Sequence, residues 1–206
     1  MAYEIVVVGT SWGGLAALRE LVIGLPASFG LPLVIVQHRH KRSGLLLPSL
    51  LQDNTRLCVC EPEDKAPIEP GNIYIAAADY HLLVDDGHFA LSTDEPVRYS
   101  RPSIDVTFVS TADSYGAQTV GVVLTGANAD GARGLKRIYD RGGLALVQRP
   151  SSAESPMMPA AALEAVPHAR VLSIEEIVAT LAALPTVPAV PAVPAVPAAA
   201  RHSEAR

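Results

Sequence analysis

The 206-residue sequence lacks any apolar stretch close to the ~20 residues that a membrane-spanning helix needs, so membrane insertion is not expected. It also lacks basic character, because 16 lysines and arginines stand against 21 acids, and nucleic-acid binding depends on a basic surface. The N-terminal segment MAYEIVVVG carries an acid and no basic residue, which indicates a first strand rather than a signal peptide. We therefore expect a cytoplasmic protein that binds no nucleic acid.

Cysteine is scarce, and the two that occur, Cys58 and Cys60, are two residues apart in the segment RLCVC. In a strand both side chains would point to one face, with their Cα atoms near the upper distance limit for a disulfide. We expect free, buried thiols. No second cysteine or histidine pair has the spacing of a metal site, and neither a metal nor a cofactor is expected.

Apolar residues make up 49% of the sequence, which is enough for a sizeable core. Continuous apolar runs that are typical of strands buried on both faces alternate with helical patterns; the runs are EIVVVG, LPLVIVQ and TVGVVLTG. This alternation predicts an α/β fold, a doubly wound, mostly parallel sheet with helices on both faces. The short segments NIYIAA, HLLVDD and HFALS, with a turn at Asp86-Gly87, predict a small antiparallel hairpin at one edge.

Serine residues mark the predicted starts of several helices. Ser11 and Ser103 are placed to cap two of them, and Ser173 forms a capping box with Glu176. A further helix is predicted over SGLLLPSLLQDN, although Pro48 weakens or kinks it.

The composition changes near residue 185 and divides the chain into two parts. Residues 1–184 are predicted to form one globular domain. In residues 185–206 proline recurs every three positions, which predicts a disordered or polyproline-II segment without a core. Such a segment is either a spacer or a ligand for a proline-binding partner, and the sequence does not separate these alternatives.

Reactive side chains follow three of the predicted parallel strands at the point where each strand ends. Ser11 follows the first strand, His38 the second, and Asp130 comes shortly after TVGVVL. Sites in open α/β sheets form at this edge, and these residue types are those of a nucleophile, a base and an orienting carboxylate. GTSWG also matches the G-x-S-x-G turn that presents a nucleophilic serine. Each residue alone could be structural, as a cap, a surface histidine or a turn residue, but the combination favours a catalytic triad.

Two other site types are less consistent with the sequence. A nucleotide-binding Rossmann-like loop is suggested by Gly9, Ser11 and Gly14, but a serine at the second glycine hinders the approach of a pyrophosphate. The second strand also ends in Gln37 and His38 rather than in the acid that would hold a ribose. An α/β-hydrolase would place its histidine after its acid, so the observed order favours a different hydrolase.

Five motifs, GTSWGG, IVQH, PGNIYIAAADYHL, RPSIDVTF and LTGANADGARG, occur in this order between about residues 4 and 184. Together they resemble the catalytic domain of CheB-type protein-glutamate methylesterases. The resemblance implies hydrolysis of glutamate methyl esters, and in many members deamidation of glutamines, on the cytoplasmic helices of bacterial chemoreceptors. It implies Ser11 as nucleophile, His38 as general base and Asp130 as the partner of His38.

The sequence departs from the family pattern close to these residues. Trp12 stands where a threonine thought to help hold the histidine is usual, and Ala127, Asn128 and Ala129 replace Met-Gly-Asn. The resemblance suggests that backbone N–H groups near His38 and Ala127 hold the oxyanion. Such enzymes usually carry an N-terminal receiver domain that controls them, and here that control is expected to be missing in cis. A separate receiver protein is a candidate partner.

Basic residues follow the predicted base in the segment HRHKR. We expect Arg39, Lys41 and Arg42 to help dock an acidic substrate helix, with a solvated loop as the alternative. Because Trp12 adjoins the predicted nucleophile, a non-catalytic receptor-binding or interaction protein also stays open at this point.

Overall fold

The computed structural model describes residues 2–39 and 46–185. In this part of the chain a seven-stranded parallel sheet carries helices on both faces, and a separate two-stranded antiparallel sheet accompanies it. The predicted fold class is therefore confirmed.

The strands that the structure describes are β1 (Ile5–Thr10), β2 (Leu33–Gln37), β3 (Cys58–Cys60), β4 (Asn72–Ile75), β5 (His81–Asp85), β6 (His88–Ser92), β7 (Thr119–Val123), β8 (Leu144–Gln148) and β9 (Arg170–Leu172). The α-helices of the same ranges are α1 (Gly14–Gly24), α2 (Leu46–Gln52), α3 (Ile104–Tyr115), α4 (Ala132–Asp140), α5 (Met157–Ala165) and α6 (Ile174–Ala182).

The order of strands in the large sheet is β3-β4-β2-β1-β7-β8-β9, and each neighbouring pair is parallel. The chain leaves β1 toward β2 and later returns to the other side of β1 at β7. Such a reversal opens a crevice at the carboxyl ends of the strands on either side of it. The residues that follow β1, β2 and β7 are thereby placed close together.

The side chains of β1 show why the sheet is covered twice. Val6 and Val8 are fully buried in the core that includes α1, α2 and α6, whereas Ile5 and Val7 are fully buried among α3, α4 and α5. Alternate residues of a strand point to opposite faces, so a continuous apolar run fits a strand that is covered on both faces.

The antiparallel sheet is the hairpin of β5 and β6, joined as predicted by Asp86 and Gly87, whose φ angles are 42° and 77°. Helix α3 pairs with the open side of β5 through side-chain hydroxyls. The N–H of Val84 donates to Oγ of Ser110 (3.1 Å), and Oγ of Ser114 donates to the carbonyl of Val84 (3.0 Å). The hydroxyl groups of α3 thus satisfy the backbone N–H and carbonyl of Val84, which would otherwise bond to a neighbouring strand.

Two local predictions are corrected by the structure. The segment Asn72–Ile75, which the sequence predicted to belong to the antiparallel hairpin, forms β4 instead. This strand pairs in parallel with β2 and β3. A short apolar segment fits either kind of sheet, so tertiary pairing decides. The thiols of Cys58 and Cys60 are free as predicted, but Cys58 is exposed and Cys60 only half-buried, because β3 is an edge strand.

The helix ends agree only partly with the predicted caps. The Ser173–Glu176 capping box is confirmed, with hydrogen bonds of 3.3 and 2.7 Å. In α2, which begins at Leu46, Pro48 lies in the first turn, where proline is tolerated. Ser11 does not cap α1, because Gly13 occupies the N-cap position and no side-chain cap forms.

Two buried carboxylates join the N-termini of α3 and α4. Asp130, in the loop before α4, accepts the N–H groups of Ile104 (2.7 Å) and Asp105 (2.9 Å) at the start of α3. Oδ1 of Asp105 in turn accepts the N–H groups of Gly131 (3.0 Å) and Gly134 (2.7 Å) at the start of α4. Each carboxylate therefore caps the other's helix, at an end where negative charge is favourable.

Ser103 occupies the N-cap position of α3 but makes no capping hydrogen bond, which corrects the prediction from sequence. Its hydroxyl instead donates to Oδ1 of Asp130 (3.0 Å). The cap comes from a residue that is distant in sequence, and a rule based on sequence neighbours does not identify it.

No helix within 2–39 and 46–185 combines the length and the apolar character needed to cross a bilayer. The N–H of Tyr3 donates to the carbonyl of Pro185 (3.0 Å), so the end of the described chain contacts its beginning. Residues 186–206 lie outside the described residues, and the division of the chain near residue 184 stays a prediction.

Substitutions of Asp105 test whether its carboxylate stabilises the fold by capping α4. Burial raises the pKa of Asp105, and its Oδ2 faces Arg98 and Arg133 only at 3.9 and 3.8 Å. Asp105→Asn keeps an oxygen for the two helix N–H groups, and we expect it to cost less than about 1 kcal/mol of unfolding free energy. Asp105→Ala leaves two buried N–H groups unpaired, and we expect a loss of about 2–4 kcal/mol in urea unfolding.

The matched control is Asp113→Ala, which removes an exposed ion-paired carboxylate from the same helix. Exposed pairs contribute little, and we expect a change below about 1 kcal/mol. Equal losses for Asp105→Asn and Asp105→Ala would contradict this account.

Candidate active site

Ser11 lies directly after β1, in the turn that leads into α1. Its N–H donates to the carbonyl of Thr125 (3.0 Å), and its carbonyl accepts the N–H of Gly14 (3.0 Å) and the side-chain amide of Gln37 (2.8 Å). These bonds fix the backbone of the turn. The Oγ atom lies 3.2 Å from Nδ1 of His38.

The two glycines after Trp12 are required by the geometry of this turn. Gly13 has a φ of 76°, in the left-handed region that favours glycine. A Cβ atom on Gly14 would lie 2.0 Å from Oε1 of Gln37 and 2.7 Å from Oγ1 of Thr10. The start of α1 therefore packs directly against polar side chains of β1 and β2.

His38 follows β2, and its ring bridges Ser11 and Asp130. Nε2 lies 2.8 Å from Oδ2 of Asp130, while Nδ1 faces Oγ of Ser11. A carboxylate accepts hydrogen bonds, so Nε2 carries the proton and Nδ1 is the acceptor. The side-chain amide of Asn128 also lies 3.2 Å from Nδ1, and its Oδ1 accepts the N–H of Asp130 (3.0 Å). Two donors thus face the unprotonated ring nitrogen.

Asp130 is buried, and each of its oxygens accepts hydrogen bonds. Burial raises the pKa of this carboxyl, but the hydrogen bonds from His38 and from the N–H groups of Asp105 and Ile104 outweigh that effect. The pKa of Asp130 consequently lies below its ordinary value. The group is therefore an anion at neutral pH.

The structure thus brings Ser11, His38 and Asp130 into one hydrogen-bonded series, from the ends of three neighbouring strands. A cleft of about 1000 Å³ opens beside Ser11 and His38, with walls from α1, α2 and Glu154. A groove of this size accommodates a side chain together with part of the polypeptide that carries it.

Trp12 forms part of the wall of this cleft, and 66% of its surface is exposed. Its backbone carbonyl accepts Oγ1–H of Thr125 (2.9 Å). Within the described residues its indole makes no hydrogen bond to His38. The support that the family resemblance assigns to a threonine comes here from Asp130 and Asn128.

The predicted oxyanion donors are only partly available. The N–H of His38 donates to the carbonyl of Thr10 (3.1 Å), so it is not free to hold an oxyanion. The N–H groups of Trp12 and Ala127 have no hydrogen-bond acceptor among residues 2–39 and 46–185. They are therefore candidates for holding an oxyanion near Ser11.

Arg39 lines a cleft that His38 also borders, but its guanidinium is paired, and its role in docking stays a prediction. Its guanidinium forms an ion pair with Glu61 and donates to the carbonyl of Ala76 (2.8 Å), with 7% of its side chain exposed. These contacts join β2 to the chain around β3 and β4. Lys41 and Arg42 lie outside the described residues.

Gln37 and Asn128 have structural roles that the sequence analysis did not assign. The amide of Gln37 donates to the carbonyls of Ser11 (2.8 Å) and His38 (2.9 Å) and so ties the ends of β1 and β2 together. Its position at the end of a strand, and that of Asn128 two residues before an acid, are weak signals. In the described ranges no group of three or more histidine, cysteine or acidic side chains could hold a metal ion.

Comparison with known proteins identifies the family of the chain. A family model described as CheB methylesterase matches residues 6–181. A Leptospira interrogans protein named "Putative protein-glutamate methylesterase/protein-glutamine glutaminase" is 45% identical over 178 residues, which cover 86% of this chain and 92% of that protein. "Protein-glutamate methylesterase/protein-glutamine glutaminase 1" of Carboxydothermus hydrogenoformans is 37% identical over 188 residues, covering 86% of this chain and 55% of that protein.

Among solved structures, the Thermotoga maritima CheB methylesterase catalytic domain superposes with a TM-score of 0.83 at 31% identity. The match covers 88% of this chain and 98% of that domain. The chain therefore belongs to the CheB methylesterase family.

Proposed function

We propose that this protein is a serine hydrolase that demethylates glutamate methyl esters on the cytoplasmic helices of bacterial chemoreceptors, and that it also deamidates glutamines there. The observation that carries the proposal is the series of contacts from Ser11 through His38 to Asp130. The names of the relatives support the substrate chemistry.

In the first half of the reaction, Oγ of Ser11 attacks the carbonyl carbon of the glutamyl ester while Nδ1 of His38 accepts its proton. The tetrahedral intermediate then collapses, and His38 returns the proton to the leaving methoxide, which departs as methanol. The product is a glutamyl ester of Ser11.

In the second half, water attacks the acyl carbon while Nδ1 of His38 accepts a proton from the water. The acyl–oxygen bond breaks, the proton passes to Oγ of Ser11, and the glutamic acid side chain leaves and ionises, releasing its remaining proton to solvent. A glutamine substrate would follow the same steps with ammonia in place of methanol.

Asp130 contributes by holding the tautomer with the proton on Nε2 and by stabilising the imidazolium that forms in each step. The N–H groups of Trp12 and Ala127 are the proposed oxyanion donors, because no described residue accepts their hydrogen bonds and they lie close to Ser11 in the chain or fold. Since the indole of Trp12 leaves the contact between Ser11 and His38 intact, the geometry favours a catalytic protein over a non-catalytic interaction protein.

A separate receiver protein and the chemoreceptor itself are the proposed partners, and the cytoplasm is the proposed location. The sequence relation supports the receptor as substrate, and the open cleft beside Ser11 supports a polypeptide rather than a small free ester.

Replacement of Ser11 tests the proposed nucleophile. Ser11→Ala removes the attacking oxygen, and we expect the rate of methanol release from methylated receptor to fall by about 10⁴-fold or more. Ser28→Ala, at an exposed loop position, is the control and should retain the wild-type rate. Methanol release by Ser11→Ala at the wild-type rate would refute the proposed mechanism.

Asp130→Asn tests the carboxylate through both activity and stability. The side-chain amide of asparagine would place an N–H group against the donors that now face Asp130, and it would favour the tautomer of His38 without a proton on Nε2. We therefore expect kcat to fall by about 10³–10⁴-fold. A lowered carboxyl pKa contributes stability that is present at neutral pH and lost as the pH falls through that pKa. Urea unfolding should therefore show a difference between wild type and variant that is largest near neutral pH and shrinks in acid. A difference that grows in acid would contradict the assignment.

The single tryptophan reports on the cleft. Trp12 is the only indole of the chain and lines the cleft beside Ser11. Binding of a methylated receptor fragment to Ser11→Ala should exclude water from the indole and shift its fluorescence emission to shorter wavelength. An unchanged emission spectrum at saturating fragment would show that the substrate does not occupy this cleft.

A further inference from the structure

A tight turn over residues 97–100 has an unusual sequence for its conformation. Val97 and Ser100 exchange two backbone hydrogen bonds, of 3.1 and 2.9 Å, around the two central residues. These residues are Arg98 and Tyr99, with φ angles of 49° and 63°. Two-residue turns with positive φ at both positions favour Asn-Gly or Asp-Gly, because side chains with a bulky Cβ are strained there.

The chain itself contains the favoured alternative. The hairpin between β5 and β6 has the same pair of positive φ angles and uses Asp86 and Gly87. The large side chains of Arg98 and Tyr99 therefore need a reason other than the geometry of the turn. Strained residues of this kind concentrate at binding and catalytic sites.

Contacts on both sides of the turn hold it in place. His81 is buried, and its Nδ1 accepts the N–H of Ser103, so its Nε2 donates to the carbonyl of Glu95 (3.2 Å). Arg101 donates to the carbonyl of Asp94 (3.0 Å) and forms an ion pair with Asp79 (2.7 Å). The surrounding structure thus determines the position of the turn.

The turn lies at the site. Tyr99 and His38 line one cleft of about 480 Å³, distinct from the cleft that contains Trp12. The side chain of Tyr99 is fully exposed. Tyrosine and arginine are the residues on which protein contacts most often depend, and a fully exposed tyrosine beside a reactive histidine is placed to contact a polypeptide substrate.

The charge around the turn indicates the chemistry of that polypeptide. The guanidinium groups of Arg98 and Arg133 approach the same oxygen, Oδ2 of Asp105, at 3.9 and 3.8 Å, and both side chains are more than half exposed. Two half-exposed cations thus share one buried carboxylate, although the exposed acids Asp94 and Glu95 precede the turn. Such a pair is complementary to carboxylate groups.

We propose that Arg98, Tyr99 and Arg133 form a docking surface for an acidic segment of the protein substrate next to its reactive glutamyl ester. Tyr99 packs against the segment, and the two arginines pair with its carboxylates. The proposal rests on the function proposed above, since it names the sequence context in which His38 and Ser11 meet their ester.

The test compares two helical peptides, each with one glutamate γ-methyl ester, flanked by glutamates in one and by alanines in the other. Wild-type protein should hydrolyse the acidic peptide with a kcat/KM about tenfold higher at low salt, and the preference should fade as salt is added. In Arg98→Gly/Tyr99→Gly, the kcat/KM for the acidic peptide should fall about tenfold relative to that for p-nitrophenyl acetate. The glycines relieve the strain of the positive φ angles, which offsets the entropy that they add to the unfolded chain, so Tm should change by no more than about 5 °C.

Asp86→Gly is the matched control, because it relieves a positive φ in a turn of the same kind whose residues line none of the clefts around His38. It should keep the wild-type peptide preference. A preference that persists in Arg98→Gly/Tyr99→Gly, or no preference in the wild type, would overturn the docking surface.

Failure of the proposed function gives a different result. If wild-type protein hydrolyses neither p-nitrophenyl acetate nor the peptides, the hydrolase proposal fails, and binding alone then decides on the docking surface. Fluorescence anisotropy of the labelled acidic peptide with Ser11→Ala measures that binding. An affinity that drops when Arg98→Gly/Tyr99→Gly is added supports the surface, and an unchanged affinity overturns it.

Discussion

Both the fold and the site depend on the hydrogen bonds that the carboxylate of Asp130 accepts. It caps the N-terminus of α3 through the N–H groups of Ile104 and Asp105, and the same carboxylate bonds to Nε2 of His38. Asp105 in turn caps the N-terminus of α4. The packing of α3 against α4 fixes the position of the Asp130 carboxylate. Because this carboxylate bonds to the imidazole of His38, the same packing fixes the orientation of the ring. The hydrogen bonds that lower the pKa of Asp130 also keep it ionised beside the ring.

The other two members of the site depend on the sheet. β1 and β2 are neighbours, and the amide of Gln37 ties the turn at Ser11 to the carbonyl of His38. The glycines after Trp12 allow that contact. The parallel sheet therefore fixes the separation of Ser11 and His38, while the strained turn at Arg98 and Tyr99 borders a cleft that His38 also lines.

Local sequence patterns were sufficient to predict the parallel sheet and the meeting of Ser11, His38 and Asp130, because strand ends in such a sheet share one edge. They were insufficient where the partner is remote in sequence. Nothing near Asp130 in the sequence shows that it caps α3, and nothing near Arg39 shows that it pairs with Glu61. The parallel pairing of β4 and the exposure of Cys58 likewise depend on tertiary neighbours.

In the proposed mechanism His38 activates Ser11 as a nucleophile. The most direct test is mass spectrometry of the protein after reaction with a fluorophosphonate, which labels an activated serine through its Oγ. We expect one adduct, located at Ser11, and its loss in His38→Ala. An unlabelled wild-type protein, or an adduct at another serine, would contradict it.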